Sequence, residues 1–163
     1  MHDFKTRLAN ICNRYLATLA AAELLYDALY QWDTKGSLTI DETALPFFTD
    51  LDSTAAAGTY TANSTEYMSL TAAVKTYADG FVSIVQKYTP TDGSLAEQFG
   101  RDDGAPLSAV DLTWSYASFL TATDRRNGAV PPSWGESAGN QVPTTCSGDS
   151  ATGTYATPSA IVW

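Results

Sequence analysis

The chain has 163 residues, enough for one ordinary domain, and 44% of them are hydrophobic, so a folded core is expected rather than disorder. The formal net charge of −9 predicts a surface that repels nucleic-acid phosphates and anionic lipids, which excludes both as partners. No apolar run reaches the roughly 20 residues that a membrane span needs.

The first predicted element is a helix over about residues 13–33. Residues 17–25 are rich in strong helix formers, and Gly36 is a plausible end because glycine tolerates the left-handed conformation of a C-terminal cap. An apolar stripe at helical spacing consists of Leu25, Ala28, Leu29 and Trp32. Since apolar residues also lie outside this stripe, we expect the helix to be buried on more than one side.

A short helix is predicted within residues 41–51, beginning near Thr43 because Pro46 is tolerated only in a first turn. Residues 52–65 are predicted to form a loop. This loop contains Asn63-Ser64-Thr65, the acceptor pattern for N-glycosylation.

The clearest periodicity predicts a helix over about residues 64–88. Apolar and aromatic residues recur every three or four positions, and the simplest role of this stripe is core packing. Its members are Tyr67, Leu70, Val74, Tyr77, Phe81, Ile84 or Val85, and Tyr88.

Residues 90–106 are predicted to be irregular, and Ser108 is predicted to begin the last helix through a capping box in which Asp111 replaces the usual glutamate. The apolar face of this helix would consist of Leu112, Tyr116, Phe119 and Leu120. Residues after Pro131 form a Ser/Thr-rich tail without helical period. The chain is therefore predicted to be all-α, with about four or five helices and no strands.

Metal and histidine chemistry are not expected. His2 is the single histidine, and neither Cys12 nor Cys146 has the spacing of a metal ligand. The two cysteines could close one long loop or remain free thiols. Residues 1–7 are too charged for a secretory signal peptide.

Acid–base chemistry on a glycosidic bond would need two carboxyl groups in opposite protonation states. The irregular segment offers Asp92, Glu97, Asp102 and Asp103. Glu97 is flanked by apolar residues, so it is the best candidate for partial desolvation. Position alone does not distinguish it from a solvated loop glutamate.

Several blocks in order resemble the fungal glucoamylases, glycoside hydrolase family 15. They are LAAAELLYDALYQW (19–32), DGFVSIV (79–85), GSLAEQF (93–99), LSAVDLTWSYA (107–117), PPSWGE (131–136) and VPTTC (142–146). The resemblance implies the C-terminal portion of an (α/α)6 barrel. It implies an unmatched segment over 1–14, a partial catalytic domain over 15–130 and a wrapping tail over 131–163.

The activity implied by the resemblance is inverting removal of terminal glucose from α-1,4-linked, and more slowly α-1,6-linked, glucans. Substrates would be starch and maltooligosaccharides, without cofactor or metal, and the enzyme would be secreted. Glu97 matches the general base, Ser108 a hydroxyl near the base, and Gln98 the neighbour of the base. Ser108 could instead, or also, cap the helix.

Other residues follow from the same resemblance. Phe99, in place of a tyrosine, and Trp114 match positions near the substrate, although packing is the simpler role of Trp114. Cys146 matches a disulfide cysteine whose partner lies upstream. Arg14 stands where an aromatic residue is expected.

No residue of this chain matches the general acid of the family. The chain is therefore predicted to carry the base without the acid, and to need the N-terminal half of the domain as its partner. The alternative is a non-catalytic helical remnant that binds glucan or protein.

Overall fold

Four helices dominate the part of the chain that the structure, a computed structural model, describes, which is residues 14–129. The predictions for residues 1–13 and for the tail, including Cys12 and Cys146, lie outside this range. The helices are α1 (Tyr15–Lys35), α2 (Leu45–Leu51), α3 (Thr65–Tyr88) and α4 (Thr113–Arg126). The strands are β1 (Ser37–Ile40), β2 (Gly58–Thr61), β3 (Gln98–Phe99) and β4 (Pro106–Leu107). The mostly helical architecture confirms the predicted fold class.

Helix α1 is central, because it packs against both α3 and α4. Tyr15, Leu19 and Ala22 are fully buried at spacings of three and four residues, so one side of the N-terminal half of the helix is core. Gly36 ends the helix as predicted, with φ of 71° and its N–H donated to the carbonyls of Asp33 and Trp32. No helix among residues 14–129 has the length and apolarity required to cross a membrane.

Helix α3 follows the predicted stripe. Ser64 caps it, since its hydroxyl accepts the N–H of Tyr67 at 3.1 Å. The alternative between Ile84 and Val85 is decided by burial, because Val85 is 2% exposed and Ile84 37%. The short helix α2 has Pro46 in its first turn, as predicted.

The prediction of no strands is wrong. β1 and β2 form an antiparallel pair in which Leu38 lies opposite Tyr60, and β3 and β4 pair over two residues. Leu38 and Ile40 point into the core, at 1% and 2% exposure, while Thr39 between them faces outwards. Four residues are too few to establish a period in the sequence, so the sequence predicts a loop where β2 lies.

The prediction that Ser108 begins the last helix is also wrong, because α4 starts five residues later, at Thr113. Ser108 and Asp111 have φ of 65° and 55°, which no helical turn allows. The Ser108 hydroxyl is donated to Glu97, and the Asp111 carboxylate accepts the Tyr116 hydroxyl at 2.5 Å. These tertiary hydrogen bonds replace the capping box.

The apolar face predicted for α4 is wrong for Phe119 and Leu120, which are exposed, whereas Tyr116 packs against the core. The helix is buried through its small residues, Ser115, Ser118 and Ala122, whereas Leu120 is 61% exposed. Small side chains permit a close approach to α1, and the Ser118 hydroxyl lies 3.3 Å from the Leu16 carbonyl of that helix. Apolarity alone therefore does not identify the packed face.

Candidate active site

Glu97 lies in the loop of residues 89–112 that connects α3 to α4, which we call the Glu97 loop. Its neighbours Leu95, Ala96 and Phe99 are 4%, 2% and 2% exposed. The Glu97 side chain itself is 18% exposed, so its carboxylate sits at the edge of the core with a limited opening to solvent. The apolar flanks predicted this partial desolvation.

Aromatic side chains pack against the Glu97 loop on its core side. The Phe99 ring stacks on Tyr88 with centroids 4.8 Å apart and meets the edge of Tyr15 at 5.0 Å. Leu19, Val85 and Ala122 complete this cluster, which joins α1, α3 and α4. Burial of an aromatic side chain of this size stabilises a fold by about 1.5–3 kcal/mol. The loop that carries Glu97 is therefore packed against three helices.

Hydrogen bonds fix the backbone on either side of the carboxylate. Each of residues 95–97 is bonded to α4 or to the segment just before it. The pairs are Leu95 N with Tyr116 Oη (3.0 Å), Ala96 O with Ser115 Oγ (2.8 Å), Glu97 N with Ala109 O (2.8 Å), and Leu95 O with Leu112 N (2.9 Å). These bonds leave the Glu97 backbone with little freedom to move away from Ser108.

Both oxygens of the Glu97 carboxylate accept hydrogen bonds. Ser108 donates its hydroxyl to Oε2, and Arg14 donates from Nη1 to Oε1 at 2.7 Å. The Ser108 hydroxyl holds the pKa of Glu97 below its ordinary value of 4.5; the Arg14 charge and the Gln98 side chain act in the same direction, and burial opposes them. The carboxylate is thus ionised at neutral and mildly acidic pH, the state in which it can accept a proton.

The structure brings Glu97, Ser108 and Gln98 together. Gln98 pairs with Leu107 in the β3–β4 ladder, which carries Ser108 to the carboxylate. Phe99 is 2% exposed, so its ring supports the strand and offers no free face to a sugar. Trp114 is 46% exposed in the first turn of α4.

Two other candidate carboxylates serve the turns of the loop. Asp92 and Asp103 each accept the backbone N–H two residues later, at 3.0 Å. The bond from Ser94 lowers the pKa of Asp92. Asn63 is exposed in the turn before α3. Among residues 14–129, no three acidic, histidine or cysteine side chains are grouped as a metal would need.

Sequence reasoning gave Arg14 no role at the site. Arg14 and Glu97 are 83 positions apart, so spacing gives no sign of their contact. A salt bridge at this distance along the chain becomes visible only when α1 packs beside the Glu97 loop.

Comparisons with known proteins agree on one relationship. The family model described as "Glycosyl hydrolases family 15" matches residues 6–124, which begins inside the segment 1–14 that was predicted to be unmatched. A Neurospora crassa protein named Glucoamylase is 59% identical over 146 residues, which is 90% of this chain and 23% of that protein. Glucoamylase-1 of Arthroderma benhamiae is 51% identical over 149 residues, 91% of this chain and 24% of that protein.

A solved structure gives the same answer. The family 15 glucoamylase of Hypocrea jecorina superimposes with a TM-score of 0.73 at 57% identity, covering 90% of this chain and 24% of that one. The chain therefore spans about a quarter of the length of the relatives that it matches.

Proposed function

The chain belongs to glycosyl hydrolase family 15, and from that premise we propose that it supplies the general base, Glu97, for glucoamylase-type hydrolysis of glucans. The observation that carries this proposal is the hydrogen bond from Ser108 to the ionised, partly enclosed Glu97 carboxylate. A base must be unprotonated before the reaction and held in a fixed direction, and this contact favours both.

The proposed reaction removes terminal glucose with inversion. Glu97 accepts a proton from a water molecule, and the water oxygen bonds to the anomeric carbon from the face opposite the leaving group. The glycosidic C–O bond breaks, and the leaving oxygen takes a proton from a second carboxyl group. In inverting enzymes the two carboxyl groups are about 6.5–9.5 Å apart, which leaves room for the water.

The second carboxyl group is the part that this chain is not expected to supply. The family resemblance assigns the general acid to none of its residues, and one carboxyl alone loses most of the rate. We therefore expect the isolated chain to release little or no glucose. The remaining part of a glucoamylase-type domain would be its partner.

The relatives also suggest the substrate and the cellular location of the protein. We propose terminal α-1,4-linked glucose of starch and maltooligosaccharides as the substrate, with slower action on α-1,6 links. Residues 15–130 would form part of an (α/α)6 barrel and residues 131–163 its tail. A secreted protein glycosylated on Asn63 fits this assignment. Trp114 is exposed beside the Glu97 loop and is the better candidate for sugar contact than the buried Phe99.

Glucose release from maltoheptaose by the purified chain tests the proposal, with Glu97→Gln as the variant and Glu66→Gln as the matched control. Glu66 is an exposed glutamate in the first turn of α3, away from the site. No release from any of the three proteins is the expected result. Glucose release by the wild-type chain but not by Glu97→Gln would indicate that this chain also contains the general acid. Glucose release that persists in Glu97→Gln would refute the assignment of Glu97 as the base. Glucan binding without hydrolysis would favour a binding module.

A further inference from the structure

Arg14 is fixed beside Glu97 by its own backbone. It precedes α1 in an extended conformation, with φ of −112° and ψ of 130°, and its carbonyl accepts both the N–H and the hydroxyl of Thr18 at 3.1 and 3.0 Å. Its backbone also forms an antiparallel bridge with Gln98, the residue after Glu97. The guanidinium therefore reaches Oε1 from a main chain that is already joined to the Glu97 loop.

We propose that Arg14 is a resident ligand of the Glu97 carboxylate, which holds Oε1 and weakens Glu97 as a proton acceptor. This inference rests on the proposed role of Glu97 as a base. Ser108 donates a neutral hydrogen bond to Oε2, and Arg14 adds a charged donor at Oε1. The guanidinium lies 2.7 Å from Oε1, the distance of a charge-assisted hydrogen bond.

Two physical consequences follow from this contact. The positive charge stabilises the carboxylate relative to the carboxylic acid, which makes Glu97 a weaker base than Ser108 alone would leave it. The Arg14 side chain is 49% exposed, so dissolved salt should screen its charge, whereas the neutral Ser108 contact should respond little. Arg14 thus acts as a restraint on the base, where the family resemblance places an aromatic residue.

The test is an NMR titration of the full chain labelled with ¹³C at the glutamate carboxyl carbons. Arg14→Met removes the charge at similar side-chain length, and Arg14→Lys keeps it. Arg126→Met is the matched control, because Arg126 is 44% exposed and pairs with Asp79 at 2.9 Å. Assignment of the Glu97 signal comes from Glu97→Gln.

We expect the pKa of Glu97 to rise in Arg14→Met, to stay near the wild-type value in Arg14→Lys, and to be unchanged in Arg126→Met. Salt at about 1 M should raise the wild-type value toward that of Arg14→Met. An Arg14→Met protein with the wild-type pKa, or an equal shift in Arg126→Met, would overturn the proposal. If Arg14→Met does not fold, the salt response of the wild-type chain decides, and a salt-independent pKa overturns it.

Glucose release measured on the same proteins separates this inference from the proposed function. Release that increases in Arg14→Met supports the restraint, and measurable release that stays the same or falls refutes it. Absence of release from every protein, together with the expected pKa shifts, is the result that we expect for the isolated chain. In that case the shifts establish the Arg14 contact, and glucose release bears only on the proposed hydrolysis.

Discussion

The hydroxyl of Ser115 connects α4 to the Glu97 loop, and removing it tests whether this helix fixes the loop. Ser115 is fully buried and donates to the Ala96 carbonyl at 2.8 Å, one residue before Glu97. Ser115→Ala deletes the donor and leaves a carbonyl of the 2% exposed Ala96 without it. We expect both lower stability and a looser loop.

The magnitude follows from two opposing effects. Loss of a buried hydrogen-bond partner costs about 1–3 kcal/mol. Alanine has the higher helix propensity, which returns up to about 0.5 kcal/mol. Ser118→Ala gains the same propensity but loses only the weaker 3.3 Å contact with the Leu16 carbonyl. Ser115→Ala should therefore be less stable than Ser118→Ala by roughly 1–2 kcal/mol.

Urea unfolding followed by circular dichroism measures this difference. With a slope of about 2 kcal/mol per molar urea, the midpoint of Ser115→Ala should lie about 0.5–1 M below that of Ser118→Ala. Hydrogen exchange of the Glu97 amide should also be faster in Ser115→Ala. Equal midpoints for the two variants, with unchanged exchange at Glu97, would refute the idea that Ser115 anchors the loop.

Three further predictions concern the pKa of Glu97, a close contact of Gly104 and the alkaline stability. Ser108→Ala should raise the pKa of Glu97 in a carboxyl NMR titration, since the lost hydroxyl favours the ionised form; an unchanged value would contradict the contact. Gly104→Ala should lower the free energy of unfolding by roughly 1–3 kcal/mol, because its Cβ would lie 2.2 Å from the Tyr88 ring. Gly128→Ala, with a similar φ of 77° and open space around it, should cost less, and equal losses would argue against the clash. Burial and Asp79 raise the pKa of Tyr26 from 10.0 to about 12, so the stability that Tyr26 contributes below pH 10 should be lost as the pH rises toward 12. Tyr26→Phe should remove this loss of stability between pH 10 and 12. An identical dependence of the free energy of unfolding on alkaline pH in both proteins would count against the prediction.

The helices could be predicted because long periodic patterns express burial directly. The stripe of α3 extends over six turns, so a few mismatches such as Ile84 do not change the conclusion. Gly36 identified the end of α1 through backbone conformation, which is a local property. These elements depend on residues close together in the sequence.

The errors lie where distant residues decide. β1 and β2 are four residues each, and Leu38 pairs with Tyr60, which lies 22 positions later in the chain. Ser108 looks like a helix cap in sequence, but the acceptor of its hydroxyl is Glu97, 11 positions earlier. Local pattern could not choose between these two uses of one hydroxyl.

The candidate site could be predicted only in part, because some of its contacts are local in sequence and others are not. Its apolar flanks and its family resemblance both singled out Glu97. The contact between Arg14 and Glu97 could not be predicted, because it depends on how α1 packs against the Glu97 loop. The 2% exposure of Phe99 likewise depends on Tyr15 and Tyr88, which lie on different helices.

The most direct test of Glu97 as the base uses an active relative. The matching segment of the Neurospora crassa glucoamylase, 59% identical over 146 residues, would be replaced by this chain, with and without Glu97→Gln. The account predicts glucose release from maltoheptaose by the chimaera, with the β-anomer as first product. It also predicts a loss of about 10²–10⁴-fold in rate on Glu97→Gln. An active chimaera whose rate is unchanged by Glu97→Gln would contradict it.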